Sequence, residues 1–218
     1  MYETLTATDG HDFQCWFEPA QGVRRGGIVI VQEIFGLTDQ LKGIGSLYAA
    51  EGYEVAIPAL FDRQERDAVI PFDQAQKGMG LMNTANIDET MMDIGATVDA
   101  LAAKGGKVGL IGFCWGGGLA LRSAQLLDLA ASVAFYGTRM PSYLDRPLKA
   151  PFMAHFGTQD SAIPPEQIAE VEAYLPSIET HLYDAGHAFA NDARPAYVAE
   201  AAELAHARTK AFFEKHVG

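Results

Sequence analysis

The segment KVGLIGFCWGGGLALRSA, residues 107–124, constrains this chain more than any other. Lys107 to Ile111 is a short apolar run of strand type, and a helix is predicted to begin near Gly117. Between them, Gly112-Phe113-Cys114-Trp115-Gly116 has the layout G-x-S-x-G with cysteine in place of serine. A strand that enters a helix through so sharp a turn strains the backbone of the central residue, so small residues are needed where Gly112 and Gly116 stand. Cys114 is thereby presented at a helix N-terminus, whose partial positive charge favours a thiolate and a developing oxyanion. A phosphate-binding loop fits less well, because the G-x-G-x-x-G spacing and the Gly-Lys-Ser/Thr ending are both missing.

The remaining chain alternates β-rich runs with amphipathic segments, the pattern of a mainly parallel sheet with helices on both faces. Tyr2 to Ala7 and Phe13 to Glu18 read as an opening antiparallel hairpin around a turn containing Gly10. Gly27 to Gln32 and Glu54 to Ile57 read as buried strands joined by a helix over Thr38 to Glu51, which Gly52 ends. Asp88 to Ala103 is predicted as a helix with acidic residues in its first turn. Further strands are expected at Ser132 to Tyr136, Phe152 to Phe156 and Thr180 to Tyr183, and a last helix within Pro195 to His216. The stretch from Ala59 to Asn83 reads as irregular, with Pro71 and several glycine or asparagine breakers, and is expected to shape a pocket more than a core. No repeat or linker interrupts the pattern, so the expectation is a single α/β domain over residues 1–218.

Composition narrows the partners. Sixteen basic against 28 acidic residues give a formal charge of −12, which opposes attraction to nucleic acid or an anionic membrane. No apolar run approaches the roughly 20 residues of a bilayer span. Cys15 and Cys114 are too few for a disulfide framework, and the opening MYETLTATDG has no secretory pattern, so a reducing cytoplasm is expected. The chain is expected to act as a monomer.

A nucleophile at such a turn needs a histidine late in the chain and a carboxylate between the two in sequence. Of the six histidines, His187 follows the last predicted strand, beside Gly186. His11 lies in the hairpin turn, His155 and His181 inside strands, and His206 and His216 on the last helix. Asp160 stands where a strand ends before a helix entered through proline, and Asp184 is the reserve acid. Asp160 alone would read as a helix-entry or turn aspartate; in the order Cys114, Asp160, His187 it reads as the acid of a triad. Glu33 lies just after the GIVIV strand, where a charge is unusual.

Taken together, QEIFG (32–36), GFCWGGG (112–118), GTQD (157–160) and AGHAF (185–189) resemble the dienelactone hydrolase family over nearly the whole chain. The resemblance implies an α/β-hydrolase fold, no metal or organic cofactor, and a Cys114–Asp160–His187 triad that cleaves an ester or lactone of a small molecule. It implies that Glu33 holds the resting thiol and moves aside as substrate binds, consistent with a carboxylate opposing ionisation of a nearby thiol. The oxyanion is expected at the backbone amides of Ile34 and Trp115. Family members acting on dienelactone carry an arginine shortly after the catalytic histidine, as in H-S-F-A-R; Asn191 stands there, and a second anion-binding arginine aligns near Phe72. Arg63, Arg66, Lys77 and Arg194 are the candidate replacements. Phe35, with Asn191, is expected at the substrate pocket, and Phe61, Met79, Met82 and Phe189 are further apolar candidates. Competing readings are a general carboxylesterase or thioesterase on uncharged acyl groups, a redox-sensing thiol protein, and an inactive binding protein on the same fold.

Overall fold

The computed structural model describes residues 1–218, which separate into two compact units, Met1–Gly109 with Val217–Gly218 and Leu110–His216. In the first unit, β1 (Tyr2–Thr6) and β2 (Asp12–Glu18) form the antiparallel hairpin, in register from Tyr2↔Trp16 to Thr6↔Asp12. Gly10, at φ +89°, makes the turn without steric cost. β2 also pairs antiparallel with β4 (Tyr53–Pro58), which in turn pairs parallel with β3 (Gly26–Val31). The order is therefore β1-β2-β4-β3. Alternation along β2 buries Phe13, Cys15 and Phe17, whereas every residue of β3 is buried, as strands covered on both faces require.

Helix α1 (Asp39–Ala50) starts at Thr38, whose hydroxyl accepts the Leu41 N–H, and is followed by Gly52 at φ +89°. Helix α3 (Ile87–Ala102) starts at Asn86, whose side-chain oxygen accepts the N–H groups of Asp88 and Glu89. Both pack on β4. The stretch read as irregular is ordered: residues 75–84 form helix α2 (Ala75–Thr84), and Leu60, Phe61, Ile70 and Met82 are core. Gly78 looked like a breaker but is a contact residue, since a Cβ there would lie 2.0 Å from the Ile34 carbonyl oxygen.

β5 (Val108–Phe113) begins in the first unit and ends in the second. The second unit continues with α4 (Trp115–Leu126), β6 (Ala131–Phe135), β7 (Phe152–Gly157), α5 (Pro165–Tyr174), β8 (Glu179–Tyr183) and α6 (Ala199–His216). β6, β7 and β8 run parallel in that order. Apart from α2, the strands and helices lie within a few residues of their predicted positions, and the sheet is mainly parallel with an antiparallel opening hairpin. No helix is long and apolar enough to cross a membrane.

Candidate active site

The strand-to-helix turn has the geometry its glycines demand. Cys114 sits between β5 and α4 at φ 54°, ψ −113°, a conformation that L-residues rarely adopt. Its N–H donates to the Phe135 carbonyl, and its own carbonyl accepts the N–H groups of Gly117 and Thr138. A Cβ on Gly112 would fall 1.9 Å from the Gly116 carbonyl oxygen, and one on Gly117 would lie 2.5 Å from the Cα of Gly137. The glycines let the turn close and the loop after β6 lie against it.

Within this unit, Cys114, His187 and Asp160 stand in hydrogen-bonded order. His187 Nε2 is 3.2 Å from Cys114 Sγ, and His187 Nδ1 is 2.7 Å from Asp160 Oδ2. Asp160 is 5% exposed, and its second oxygen accepts the Ala162 N–H at 2.8 Å, so both carboxylate oxygens are engaged. Burial alone would depress the His187 imidazole, but the hydrogen bond to Asp160 and then that to Cys114 outweigh it and push the pKa up to about 10. The reserve acid, Asp184, is exposed and accepts the Gln159 side-chain amide at 2.6 Å.

The loops bearing the acid and the base are laced together. Thr158 and Gln159 donate backbone N–H groups to the carbonyls of Tyr183 and Ala185. Gly157 carries no side chain because a Cβ would meet the Ala185 carbonyl oxygen at 2.2 Å. Two residues that sequence reasoning passed over also flank His187. Tyr136, buried at φ 39°, sets its ring edge-on to the imidazole, with centroids 5.3 Å apart, and Ala188 is held at φ 63°. Neither residue type advertises a positive φ, so the sequence carried no signal for them.

The other sequence candidates take different places. Trp115 is the first residue of α4 and is buried. Asn191 is buried too, and its side-chain oxygen accepts the Ala193 N–H, a turn-forming contact. Phe189 is fully buried beside Tyr136 and Tyr183. In the first unit, Glu33, Ile34 and Phe35 follow β3 in a loop fastened by Gln32, whose side chain donates to the Glu33 carbonyl and accepts the Leu60 N–H. Glu33 is buried, and Phe35 packs edge-on against Phe72, 4.8 Å between centroids. Of the candidate anion-binding cations, Arg63 is held by Asp9 and Asp93, Lys77 by Glu65, and Arg66 donates to the Asp12 carbonyl. Cys15 is fully buried in β2, and burial pushes its thiol far above the ordinary range.

An elbow of this form, between a strand and a helix of a mainly parallel sheet, defines an α/β hydrolase. The comparisons carry the assignment further. Residues 15–217 match the model of the dienelactone hydrolase family. A carboxymethylenebutenolidase of a Pseudomonas species is 34% identical over 203 residues, 88% of this chain and 84% of that protein. A second, from Pseudomonas putida, is 30% identical over 94% of this chain and 92% of its own length. A solved structure of a candidate dienelactone hydrolase from Klebsiella pneumoniae superposes with a TM-score of 0.84 at 25% identity, covering 99% of this chain and 98% of that one. The chain belongs to the dienelactone hydrolase family, and with it to the carboxylic ester hydrolases on the α/β-hydrolase fold.

Proposed function

We propose that this chain cleaves a small ester or lactone by covalent catalysis, with Cys114 as nucleophile, His187 as acid and base and Asp160 as the orienting carboxylate. The observation that carries the reading is the unbroken sulfur–imidazole–carboxylate series, 3.2 Å and then 2.7 Å. Cys114 Sγ attacks the carbonyl carbon, and the oxyanion gathers at the amide following the nucleophile, that of Trp115, with Ile34 as the second donor implied by the family. As the C–O bond breaks, the imidazolium gives its proton to the leaving oxygen. Water then attacks the thioester, passing a proton to His187 and releasing the acid and the thiolate. The family resemblance adds that Glu33 restrains the resting thiol.

The substrate is assigned as an ester or lactone with an uncharged acyl group. Asn191 and Phe72 stand where carboxylate-binding arginines are expected, and Arg63 and Lys77 already serve protein carboxylates. A thiol-based redox role for Cys114 is less well supported, because the other cysteine, Cys15, is fully buried in β2, where burial holds its thiol far above the ordinary range.

The test is hydrolysis of p-nitrophenyl acetate and of a carboxylated enol-lactone by the wild type, Cys114→Ala and Glu33→Gln. Cys114→Ala is expected to lose at least about 10³-fold in kcat, and the acetate to be preferred over the lactone. Turnover surviving in Cys114→Ala would refute the nucleophile, preference for the anionic lactone would refute the substrate assignment, and an unchanged pH profile in Glu33→Gln would remove the gating role.

A further inference from the structure

The end of β8 carries a buried polar chain that the reaction does not use. His155 Nε2 lies 2.9 Å from Thr209 Oγ1, and His155 Nδ1 lies 2.8 Å from the Tyr183 hydroxyl. The single hydroxyl proton of Thr209 is donated to the Ala205 carbonyl, also at 2.9 Å. Thr209 therefore accepts from His155, which fixes the proton on Nε2 and leaves Nδ1 as an acceptor. Tyr183 must then donate to Nδ1, and its oxygen is free to accept Arg208 Nη1 at 3.0 Å. Every proton in the series Arg208→Tyr183→His155→Thr209→Ala205 has one direction. Burial, and after it the groups facing His155, namely His181 of β8 and His206 and Arg208 of α6, hold its imidazole well below the ordinary range and hence neutral.

Tyr183 is also where the two site loops meet. Its backbone carbonyl accepts the Thr158 N–H at 2.8 Å, the Thr158 hydroxyl at 3.2 Å and the Ala185 N–H at 2.8 Å. Thr158 stands two residues before Asp160, and Ala185 two before His187. The same residue is thus fixed through its side chain to β7 and α6 and through its carbonyl to both loops.

We propose that Tyr183 is a positioning residue, whose hydroxyl, locked between Arg208 and His155, sets the separation of the Asp160 and His187 loops and so the reach of His187 to Cys114. This rests on the triad reading above. A polar chain whose donors are all assigned has one geometry, whereas an unsatisfied buried member would let the strand end shift. Displacements well under an ångström weaken proton transfer, and about 1 Å can cost on the order of 10²-fold.

The experiment compares Tyr183→Phe, Arg208→Met and Arg208→Lys in p-nitrophenyl acetate hydrolysis across pH, beside Cys114→Ala. Tyr183→Phe keeps the ring and removes the hydroxyl. The expected result is a fall in kcat of about tenfold with KM within about twofold, an alkaline limb moved to lower pH, and a changed low-field proton resonance of the His187–Asp160 hydrogen bond. Arg208→Met should do the same in smaller measure and Arg208→Lys restore part of it. A lower melting temperature with kcat, pH limb and resonance unchanged would make Tyr183 an ordinary core residue and overturn the proposal. Should Tyr183→Phe fail to fold, the half-buried Arg208 pair decides alone: no difference between Met and Lys overturns it. Turnover persisting in Cys114→Ala would instead bring down the triad reading, and this proposal with it.

Discussion

The two units solve the same backbone problem in opposite ways. In the first, the positive-φ positions fall on glycines, at 10, 22, 36, 52, 105, 106 and 218, with Asp67 the sole side-chain-bearing residue among them. In the second, no glycine has positive φ, and Cys114, Tyr136, Arg139 and Ala188 occupy that region instead. A glycine makes such a turn at little steric cost, whereas each other residue stores roughly 1–3 kcal/mol that surrounding packing must hold. The stored strain lies where the sulfur and imidazole are: Cys114 carries the thiol, Tyr136 packs on His187, and Ala188 follows it. The first unit is built for turns that form easily, and the second for side chains that could not be aimed otherwise.

The largest expected effect removes what the second unit's packing serves. Asp160→Asn leaves the shape nearly intact but withdraws the carboxylate that does most to keep the His187 pKa high. The kcat is expected to fall on the order of 10³-fold, since an amide can stabilise the wrong tautomer. The pH response has a definite sign. A pKa of about 10 in the folded chain lies above the ordinary histidine value, so His187 adds stability that is complete below about pH 6.5. That contribution disappears as pH rises through about 10. Asp160→Asn should flatten the decline of stability in that window and move the alkaline limb of kcat/KM towards neutrality. A limb that stays near 10 in the variant would mean that Asp160 does not govern the imidazole.

The next effect is on the first unit and on stability alone. Gly36 lies at φ +77°, and a Cβ there would sit 2.0 Å from the Ala68 carbonyl oxygen, beside the bridge Gly36↔Val69. Gly36→Ala combines strain with overlap, so a loss of about 3 kcal/mol in urea unfolding is expected. A loss under about 1 kcal/mol would show that the loop at Ala68 yields easily, and the contrast between the units would then be one of residue choice without energetic weight.

What the sequence made legible cuts across this division. Strands and helices were readable because hydrophobic period and helix-end signals are local: the GIVIV run, Gly52 after α1 and the acidic Asp88 and Glu89 in the first turn of α3 all carry their own signal. Cys114 was legible because the glycines around it are. Helix α2 was hidden because Gly78 serves a carbonyl of a distant loop, and glycine's contact role looks identical in sequence to its breaker role. The roles of Arg63 and Lys77 were hidden because an ion pair such as Arg63 with Asp93 spans 30 positions and has no period. Tyr136 and the Tyr183–His155 series were hidden for a related reason: their behaviour is imposed by neighbours against, or without reference to, their own propensities.

The smallest effect isolates the strain itself. Cys114→Ala and Cys114→Gly both lose the thiol, so both are inactive on the reading above, and their difference in stability reports only what the backbone prefers at φ 54°, ψ −113°. Glycine gives up roughly 0.4–1 kcal/mol relative to alanine through its freer unfolded chain. It escapes a conformational penalty of roughly 1–3 kcal/mol. The second term wins, so Cys114→Gly should be the more stable of the two by about 1 kcal/mol, or roughly 2–4 °C in melting temperature for a chain of this length. The sign is opposite to that expected for alanine against glycine at an unstrained helical or strand site, where alanine is favoured. Equal stabilities would mean that the turn relaxes once the sulfur is gone, and that the strain belongs to the Cys114–His187 contact and not to the elbow.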